Sequence, residues 1–586
     1  VAIIKVLNIL LVLILLFMGG CSKNSAFLPQ VDMNKRVREI EGARLEYHNN
    51  VPFLHLSGNY YDMGFQYGVL LKDELHRIED HVRRLKSSIY NWIPWYIRPF
   101  GGVILYFKLK SLERKLPKKY REELKGMVDG AEIPYKDALF TAFGAELLTF
   151  SCSSFIKRTE NGIIHGRNLD YFLPFLGNFP VVVEYSPKGK FRYTLVGFTG
   201  FLGALSGMNE KGITISLNAS PITKKNSELT IPICYKMREI LEEASTIKDV
   251  DKLLENYETE QGWILTVGSL KEKNGVVYDI AGGRSVKNVM KEDRIWVTNY
   301  FLNRKIRHKY MGISFAGSPA FIARFDMLGK LLKKKVDGDE FTYALNILKN
   351  TDFYGYRNIL GGCGITINNI ITIQSVVMLP YQKSIYFSSS RGYSGWEKFI
   401  GYNTETYRVI LSKNRESELK KERIAKLLSW NEKFYTLMIK RDLKGIIRLT
   451  EEVCAPTLYQ FSFLLWAYSR NISMLKNDSK ILNKLERLVE EYPDYSVPYL
   501  LKAKVLLDTE RFEEAIEYAN RALKVSLSFP NAQKAAYRIL AKAYKKLKNK
   551  EKAGYYAKKC LELLRKYRIG RGEKRIEKEM KSILKL

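Results

Sequence analysis

Ser151-Cys152-Ser153-Ser154-Phe155-Ile156-Lys157, then Asn161-Gly162, then Ile163-Ile164-His165-Gly166-Arg167-Asn168-Leu169-Asp170: the fold is read from this stretch. Two alternating runs flank an Asn-Gly pair, a strong hairpin signal because both residues accept positive φ. A tight hairpin returns the end of its second strand to the start of its first. Arg167 and Asp170 are thereby brought beside Cys152. A neighbouring arginine favours the thiolate of a cysteine, and an aspartate can hold an ammonium group or another donor. Against this stand two plainer readings. Arg–Asp pairs on hairpins are commonly structural, and a lone cysteine is ordinarily a small buried hydrophobe. Spacing by itself leaves them open.

The pattern continues outward. Val181–Tyr185 and Phe191–Phe198 flank Ser186-Pro187-Lys188-Gly189, and Gly203–Met208 and Ile213–Asn218 flank Asn209–Gly212, giving two further hairpins. Strand-like runs recur at Val276–Ile280, Arg294–Thr298, Thr366–Leu379 and Ser384–Ser388, and a helix is expected over Pro319–Lys334. Consecutive hairpins imply antiparallel sheets with helices packed on them. Residues 36–151 read as mainly helical. Gly64 and Gly68, four apart, put two gaps on one helix face and allow close backbone approach. Pro117 is placed to open another helix.

After about Gly401 strand signals vanish and the chain becomes rich in Lys, Glu, Leu and Ala. Ala503, Ala515, Ala519 and Ala522 recur 38 positions on as Ala541, Ala553, Ala557 and Cys560. Small residues there let antiparallel helices pack closely. The segment at about 490–566 resembles the tetratricopeptide repeat, and Leu464–Tyr492 could supply a degenerate unit. Such solenoids usually bind a partner on the concave side, so a protein partner is a candidate here; a merely structural helical cap is the alternative.

The N-terminus reads as an address. Lys5 precedes the apolar run Val6–Met18, and Gly19-Gly20-Cys21 precede a polar stretch. This is a secretory signal, too short to span a bilayer comfortably, and it resembles the bacterial lipoprotein signal, with Cys21 as the lipidated residue. An ordinary signal peptide or N-terminal anchor is the plainer reading. The expected layout is a signal peptide at 1–20, a tether at 21–35, a unit at 36–400 divided at 151/152 and carrying the Cys152 hairpin, and a helical unit at 401–586. The expected location is the bacterial cell envelope, on the periplasmic or outer-membrane face, lipid-anchored to the membrane.

Composition limits the remaining classes. A chain of 586 residues that is 46% hydrophobic is globular and long enough for two or three domains. The net charge of +33 fits nucleic acid, anionic lipid or only a lysine-rich surface. Without a zinc finger, ribonucleoprotein signature or phosphate loop, the solvated surface is favoured over nucleic acid. The six cysteines form no CxxC pair, so neither a disulfide framework nor a metal site is expected. Cys234, Cys363, Cys454 and Cys560 read as core thiols, and no cofactor is implied. Ile89–Lys110, with Trp92, Trp95 and Phe100, reads either as core or as an apolar lip facing acyl chains or lipid.

Cys152-Ser153-Ser154-Phe155 with Gly166-Arg167-Asn168-Leu169-Asp170 resembles the nucleophile hairpin of cysteine N-terminal-nucleophile (Ntn) hydrolases, best the penicillin (isopenicillin N) acyltransferase family. Acid ceramidase-like amidases and choloylglycine hydrolases are its cousins. Four other segments agree in order. They are Leu56–Leu75 with Asp62-Met63-Gly64 and Tyr67-Gly68; Ser206–Ile213, followed by Asn218; Val297-Thr298-Asn299-Tyr300-Phe301; and Gln374–Pro380. The likeness covers about 45–395. It implies an α+β fold: an αββα sandwich followed here by the all-α repeat-like region. It also implies self-cleavage of the Ser151–Cys152 bond.

Cleavage has a physical logic. A thiol needs a base, and an α-amino group with a pKa near ~7.7–8.0 can serve, but Cys152 carries one only once that bond is broken. On this reading Cys152 attacks an acyl carbonyl, its own amine acts as base and acid, Asp170 orients the amine, and Arg167 tunes the thiolate and helps hold Asp170. The resemblance offers Asn299 for the oxyanion hole, Asn218 as a secondary polar group and Arg324 as a distant arginine. For Asn218 a capping role, and for Arg324 an exposed helix charge, are the plain alternatives. The expected activity is that of an N-acyl amidase or acyltransferase on small-molecule linear amides through a thioester. The rival reading is an inactive hydrolase-like lipoprotein serving as a partner-binding scaffold.

Overall fold

A computed structural model describes residues 37–411 except 93–97, 144–150, 172, 224–229 and 358–363, scattered positions between 412 and 478, and residues 479–585 except 568–570. The expectations for Cys21, Cys363, Cys454 and the two N-terminal segments lie outside the described residues, as does most of Leu464–Tyr492.

The described residues open with strands β1 (Val37–Ile40), β2 (Ala43–His48) and β3 (Val51–Gly58). Helices α1 (Tyr60–Leu70), α2 (Lys72–Trp92), α3 (Arg98–Arg114), α4 (Lys118–Ala131) and α5 (Tyr135–Ala142) follow. The segment before Cys152 is therefore helical only from Tyr60 on. The signal for the strands was present: Asn49 and Asn50 take φ of 50° and 62° between β2 and β3, the left-handed pair that a two-residue hairpin demands. Val51–Leu54 reads as an apolar run without polar alternation because β3 is an interior strand covered on both faces, paired with β2 on one side and parallel to β6 on the other.

Next come β4 (Ser151–Arg158), β5 (Ile163–Asp170), β6 (Pro180–Pro187), β7 (Tyr193–Phe198), β8 (Ser206–Asn209) and β9 (Ile213–Ser220), which are the three hairpins of the sequence. Helices α6 (Ile233–Glu243) and α7 (Ile247–Leu253) lead to β10 (Gly262–Ser269), β11 (Asn274–Ile280), β12 (Ser285–Val289) and β13 (Arg294–Val297). Then follow α8 (Arg304–Tyr310), α9 (Ile313–Ala316), α10 (Pro319–Leu332) and α11 (Glu340–Leu348), and strands β14 (Thr372–Leu379), β15 (Ser384–Ser389), β16 (Ile400–Asn403) and β17 (Val409–Leu411). The last two carry the sheet past residue 400, where strand signals were expected to stop.

Two sheets result. One runs β1-β2-β3-β6-β7-β8-β9-β10-β11-β12; the other runs β13-β4-β5-β14-β15-β16-β17. They pack face to face through Phe53, Val182 and Met208 on the first and Val376, Met378 and Phe387 on the second. Helices α1, α4 and α6 cover the outer face of the first sheet. Helices α10 and α11 cover the second with Leu328, Leu332, Leu345 and Leu348. The molecule is mixed α and β, layered helix, sheet, sheet, helix, with a helical C-terminal region.

That region contains α12 (Ser479–Glu491), α13 (Ser496–Asp508), α14 (Phe512–Lys524), α15 (Pro530–Lys546), α16 (Lys550–Arg565) and α17 (Arg571–Leu584). The 38-residue spacing becomes two helix pairs, α13–α14 and α15–α16. All eight small residues of the pattern are buried, none more than 2% exposed. Cys234 and Cys560 are buried as well.

The Gly64/Gly68 expectation has a specific partner. Helix α1 meets α4 backbone to backbone: a methyl on Gly64 would lie 2.0 Å from the Glu123 carbonyl oxygen, and one on Gly126 2.2 Å from that of Tyr61. Gly64→Ala should therefore lose at least about 2 kcal/mol despite alanine's better helix propensity, because the obstacle is backbone and cannot rotate away. Gly197→Ala, where nothing lies within 4 Å of the new methyl, should stay within about 0.5 kcal/mol of wild type. Urea unfolding of the two variants checks the contrast.

Candidate active site

Strand β4 pairs with β5 in the register Ser151↔Asp170, Cys152↔Leu169, Ser154↔Arg167 and Ile156↔His165. Thr159 and Gly162 close the turn through Thr159 N–H to Gly162 O at 2.9 Å, so Glu160 and Asn161 form its tip, one residue earlier than the Asn-Gly pair suggests. Strand alternation then sorts the side chains. Cys152, Ser154 and Ile156 face the opposite sheet, whereas Ser153 and Phe155 face helices α10 and α11. Hydrogen bonds agree: Ser154 Oγ donates to Asn218 on β9 at 2.7 Å, while Ser153 Oγ accepts from Arg324 on α10 at 2.9 Å.

Cys152 is fully buried. Arg167 Nη2 reaches its Sγ at 3.4 Å and is itself fixed by Leu217 O at 2.8 Å, while Nη1 donates to Ser206 Oγ at 3.0 Å. Asp170 accepts from Thr372 Oγ1 at 2.7 Å and Asn369 Nδ2 at 3.2 Å. The cation paired with it is Arg324, whose Nη1 stands at 3.7 Å, not Arg167, to which the hairpin reading gave that task.

Arg324 lies at the centre. It is fully buried rather than an exposed helix charge. Its Nη1 donates to Cys152 O and Ser153 Oγ, and its Nη2 donates to Ser151 Oγ and Asn299 Oδ1, each at 2.7 Å. Its Nε donates to Ala320 O and Gly364 O. The Asn299 Oδ1 also accepts from Cys152 N at 2.9 Å and from Ser151 Oγ at 2.9 Å. In the continuous chain Asn299 thus turns its acceptor to the nitrogen of the nucleophile's own peptide bond, and its Nδ2 donates to Ala219 O at 2.8 Å. An oxyanion role would need that Nδ2. Asn218 stands further off in the sheet interface, donating to Thr298 O at 2.9 Å.

The structure therefore gathers Ser151, Cys152, Arg167, Asp170, Asn299 and Arg324, and leaves Asn218 one hydrogen bond away through Ser154. Sequence reasoning missed Asn369 and Thr372, because Thr366–Leu379 reads as one strand. The Asn368-Asn369 doublet inside it was the available signal, since asparagine disfavours strands and favours turns. Ser153 and Ser206 carried no distinguishing signal.

Electrostatics define what the cluster can do. Burial pushes the Cys152 thiol up to about 11, outweighing the Arg167 guanidinium. The thiol is then protonated near neutral pH, and attack requires a base. His165 does not supply it. It lies further along the hairpin, between Thr214 Oγ1 at 2.9 Å and Ser216 Oγ at 2.8 Å, and burial lowers it to about 3. Burial likewise raises Asp170 to about 6, against the pull of Arg324.

Parts of the chain are similar to known proteins. The family described as acyl-coenzyme A:6-aminopenicillanic acid acyl-transferase matches residues 157–346. Protein dcd1B of Dictyostelium discoideum is 26% identical over 259 residues, which are 40% of this chain and 51% of that protein. N-acylethanolamine-hydrolyzing acid amidase of Oryctolagus cuniculus is 32% identical over 108 residues, 18% of this chain and 30% of that one. Acid ceramidase of Mus musculus is 31% identical over 155 residues, 23% and 39%. The chain spans about half the length of the first curated relatives it matches. Among solved structures, a Caenorhabditis elegans ortholog of the acid amidase overlaps with a TM-score of 0.29 at 21% identity, covering 39% of this chain and 93% of that one. A conjugated bile acid hydrolase mutant from Clostridium perfringens overlaps with a TM-score of 0.28 at 12% identity, covering 46% and 98%. Overlaps of this size carry no argument about the fold.

Asp170 yields a pH test. Its carboxyl is held near 6 in the folded chain against 3.8 ordinarily, so the folded state binds that proton more tightly than the unfolded state does. The associated stability is fully present below about pH 4 and is lost as pH rises through about 6. In a Cys152→Ala background, the loss of stability between pH 4 and pH 7.5 should be smaller by roughly 3 kcal/mol in Asp170→Asn than in the Asp170 parent. Urea melts at the two pH values check this.

The family match over residues 157–346 and the named amidase and ceramidase relatives are likenesses over part of this chain.

Proposed function

We propose that this protein is a self-cleaving cysteine Ntn-hydrolase that cuts linear amide C–N bonds, as an N-acyl amidase or acyltransferase, through a thioester on Cys152. One observation carries the reading: Arg324 and Asn299 together grip both sides of the Ser151–Cys152 junction, at Ser151 Oγ, Cys152 N and Cys152 O. A structural arginine has no reason to bind a single peptide junction next to a buried thiol.

Cleavage begins when Cys152 Sγ attacks the Ser151 carbonyl carbon. The C–N bond breaks as the thioester forms, and the nitrogen gains a proton to become an amine. Water then cleaves the thioester, leaving a Ser151 carboxylate and a free Cys152 amine. In turnover that amine takes the thiol proton, and the thiolate attacks the acyl carbon of a substrate. The ammonium returns its proton to the departing amine. Water or an acceptor amine then releases the acyl group. Asn299 Oδ1, already accepting from this nitrogen, would hold the new amine; Asp170 and Arg324 would fix the local charge.

The names of the relatives suggest N-acylethanolamines, ceramides and related N-acyl amides as substrates to try first. Anchorage through Cys21 in the bacterial envelope, and a tetratricopeptide-like partner surface in the helical region, belong to the same proposal. Helix α3 is consistent with a lipid-facing site. It buries Leu109 and Leu112 but exposes Val103, Tyr106 and Phe107, the last by 62%. The side chains of Trp92, Trp95 and Phe100 lie outside the described residues.

Purified wild type should run as two fragments under denaturing conditions, the second beginning at Cys152, and as one species under native conditions. Cys152→Ala should remain whole and inactive. Arg324→Lys, which cannot reproduce the planar fork, should slow cleavage on the order of 100-fold. An active protein with the 151–152 bond intact would sink the proposal.

A further inference from the structure

The helical C-terminal region packs against the back of the helix that carries Arg324. Arg324 points from α10 into the site, while its neighbours Ile322 and Ala323 enter the apolar core of α12–α15. The other support of the guanidinium, the carbonyl of Gly364, is followed by Ile365, which packs on the same core. Between them lies a turn closed by Phe353 N–H to Tyr356 O at 2.8 Å and Tyr356 N–H to Phe353 O at 2.9 Å. Its rings dock on the links between the helices: Phe353 on Tyr495 at 4.9 Å, Tyr356 on Tyr492 at 5.1 Å and Tyr354 on Phe529 at 6.0 Å. Tyr354 also donates to Asp326, two residues beyond Arg324.

A second contact lies just before α10. Asn531 N–H donates to Gly317 O at 3.2 Å, and a methyl on Gly317 would sit 2.8 Å from that nitrogen. Ser314 accepts from Lys534 at 3.1 Å and donates to Glu573 at 2.6 Å. Helix α10 is thus held between the sheet, through Leu328 and Leu332, and the helical region.

We infer that the helical region is a positioning element of the reaction site: it clamps α10, the Phe353–Tyr356 turn and Ile365 so that Arg324 meets Ser151, Cys152 and Asn299 in register. A fork that makes hydrogen bonds to six residues tolerates little drift, and a displacement of about 1 Å costs on the order of 100-fold in rate. A region that served only to recruit a partner could be loosened at this seam without altering the chemistry. The inference rests on the reading of Cys152 as nucleophile, yet it can be judged separately.

The test uses the full chain with Tyr495→Ala combined with Phe529→Ala. Gly317→Ala serves as a milder variant that pushes α15 back by one methyl, should the first fail to fold. Hydrogen exchange is followed in α10 and, as an internal reference, in α11. Cleavage at 151–152 and amide turnover are followed alongside. We expect protection in α10 to fall about tenfold or more while α11 is unchanged. Cleavage and kcat should fall by a similar factor with KM within about twofold. In an Arg324→Ala background the same seam variants should cause no further loss, because the effect runs through that side chain. Unchanged exchange in α10, unchanged rates once α10 is loosened, or an equal loss in the Arg324→Ala background would each overturn the inference. If wild type neither cuts itself nor turns over amides, the reading of Cys152 fails, and the exchange experiment still decides whether the seam braces α10.

Discussion

A single buried guanidinium organises the reaction site. Arg324 is fully buried, and the carboxylate closest to it, Asp170, stands 3.7 Å away. A charge taken out of water is tolerated only when its donors are satisfied. Here the fork is spent on Ala320 O, Gly364 O, Cys152 O, Ser153 Oγ, Ser151 Oγ and Asn299 Oδ1. Those partners come from four separate stretches of chain, so the position of one side chain sets the mutual position of β4, β13, α10 and the segment before β14. A lysine has three donors and no plane and could not meet the same set.

Burial then sets the chemistry. The same exclusion of water that makes Arg324 valuable holds the Cys152 thiol near 11 and the Asp170 carboxyl near 6. Arg167 at 3.4 Å from Sγ reduces the first shift without reversing it. A Cys–His arrangement is not built on this hairpin, because His165 is committed to two hydroxyls of the opposite sheet. An amine on Cys152 itself would be a base that needs no further side chain and already has its acceptor waiting in Asn299.

What the sequence revealed follows the range of the interactions. The β4–β5 register, the next two hairpins and the 38-residue helix pairs are local, and turn residues and periodicity carried them. Arg167 and Asp170 reached Cys152 through the hairpin alone. Arg324 is 172 residues from Cys152 along the chain, and nothing in its own helix distinguishes a buried arginine from a solvated one. The same holds for Asn369 and Thr372, which meet Asp170 only because β14 pairs with β5. Strand β3 was hidden in a segment expected to be mainly helical for a related reason: covered on both faces, by Phe53 against the second sheet and by Leu54 and Leu56 under the helices, it lacks the alternation that marks a half-exposed strand.

Self-cleavage would sever the peptide link between the residues before Cys152 and those after it, so the fold must hold the two parts by other means. Strand β3 pairs with β6 over Phe53–Gly58, with partners from Val182 to Pro187, which places three strands of the first half inside the sheet of the second. Glu123 on α4 meets Arg238 on α6 at 2.7 Å, and that guanidinium lies 4.8 Å from the ring of Tyr120 and 4.5 Å from that of Tyr185. Glu242 accepts from Tyr60, Lys119 and Tyr120, all residues of the first half. Removing one partner of such a buried pair costs about 3–5 kcal/mol, so this contact alone resists separation more strongly than an exposed ion pair would. The cut lies at the first residue pair of β4, where Ser151 faces Asp170, so it would free a strand end and spare every ladder that joins the halves.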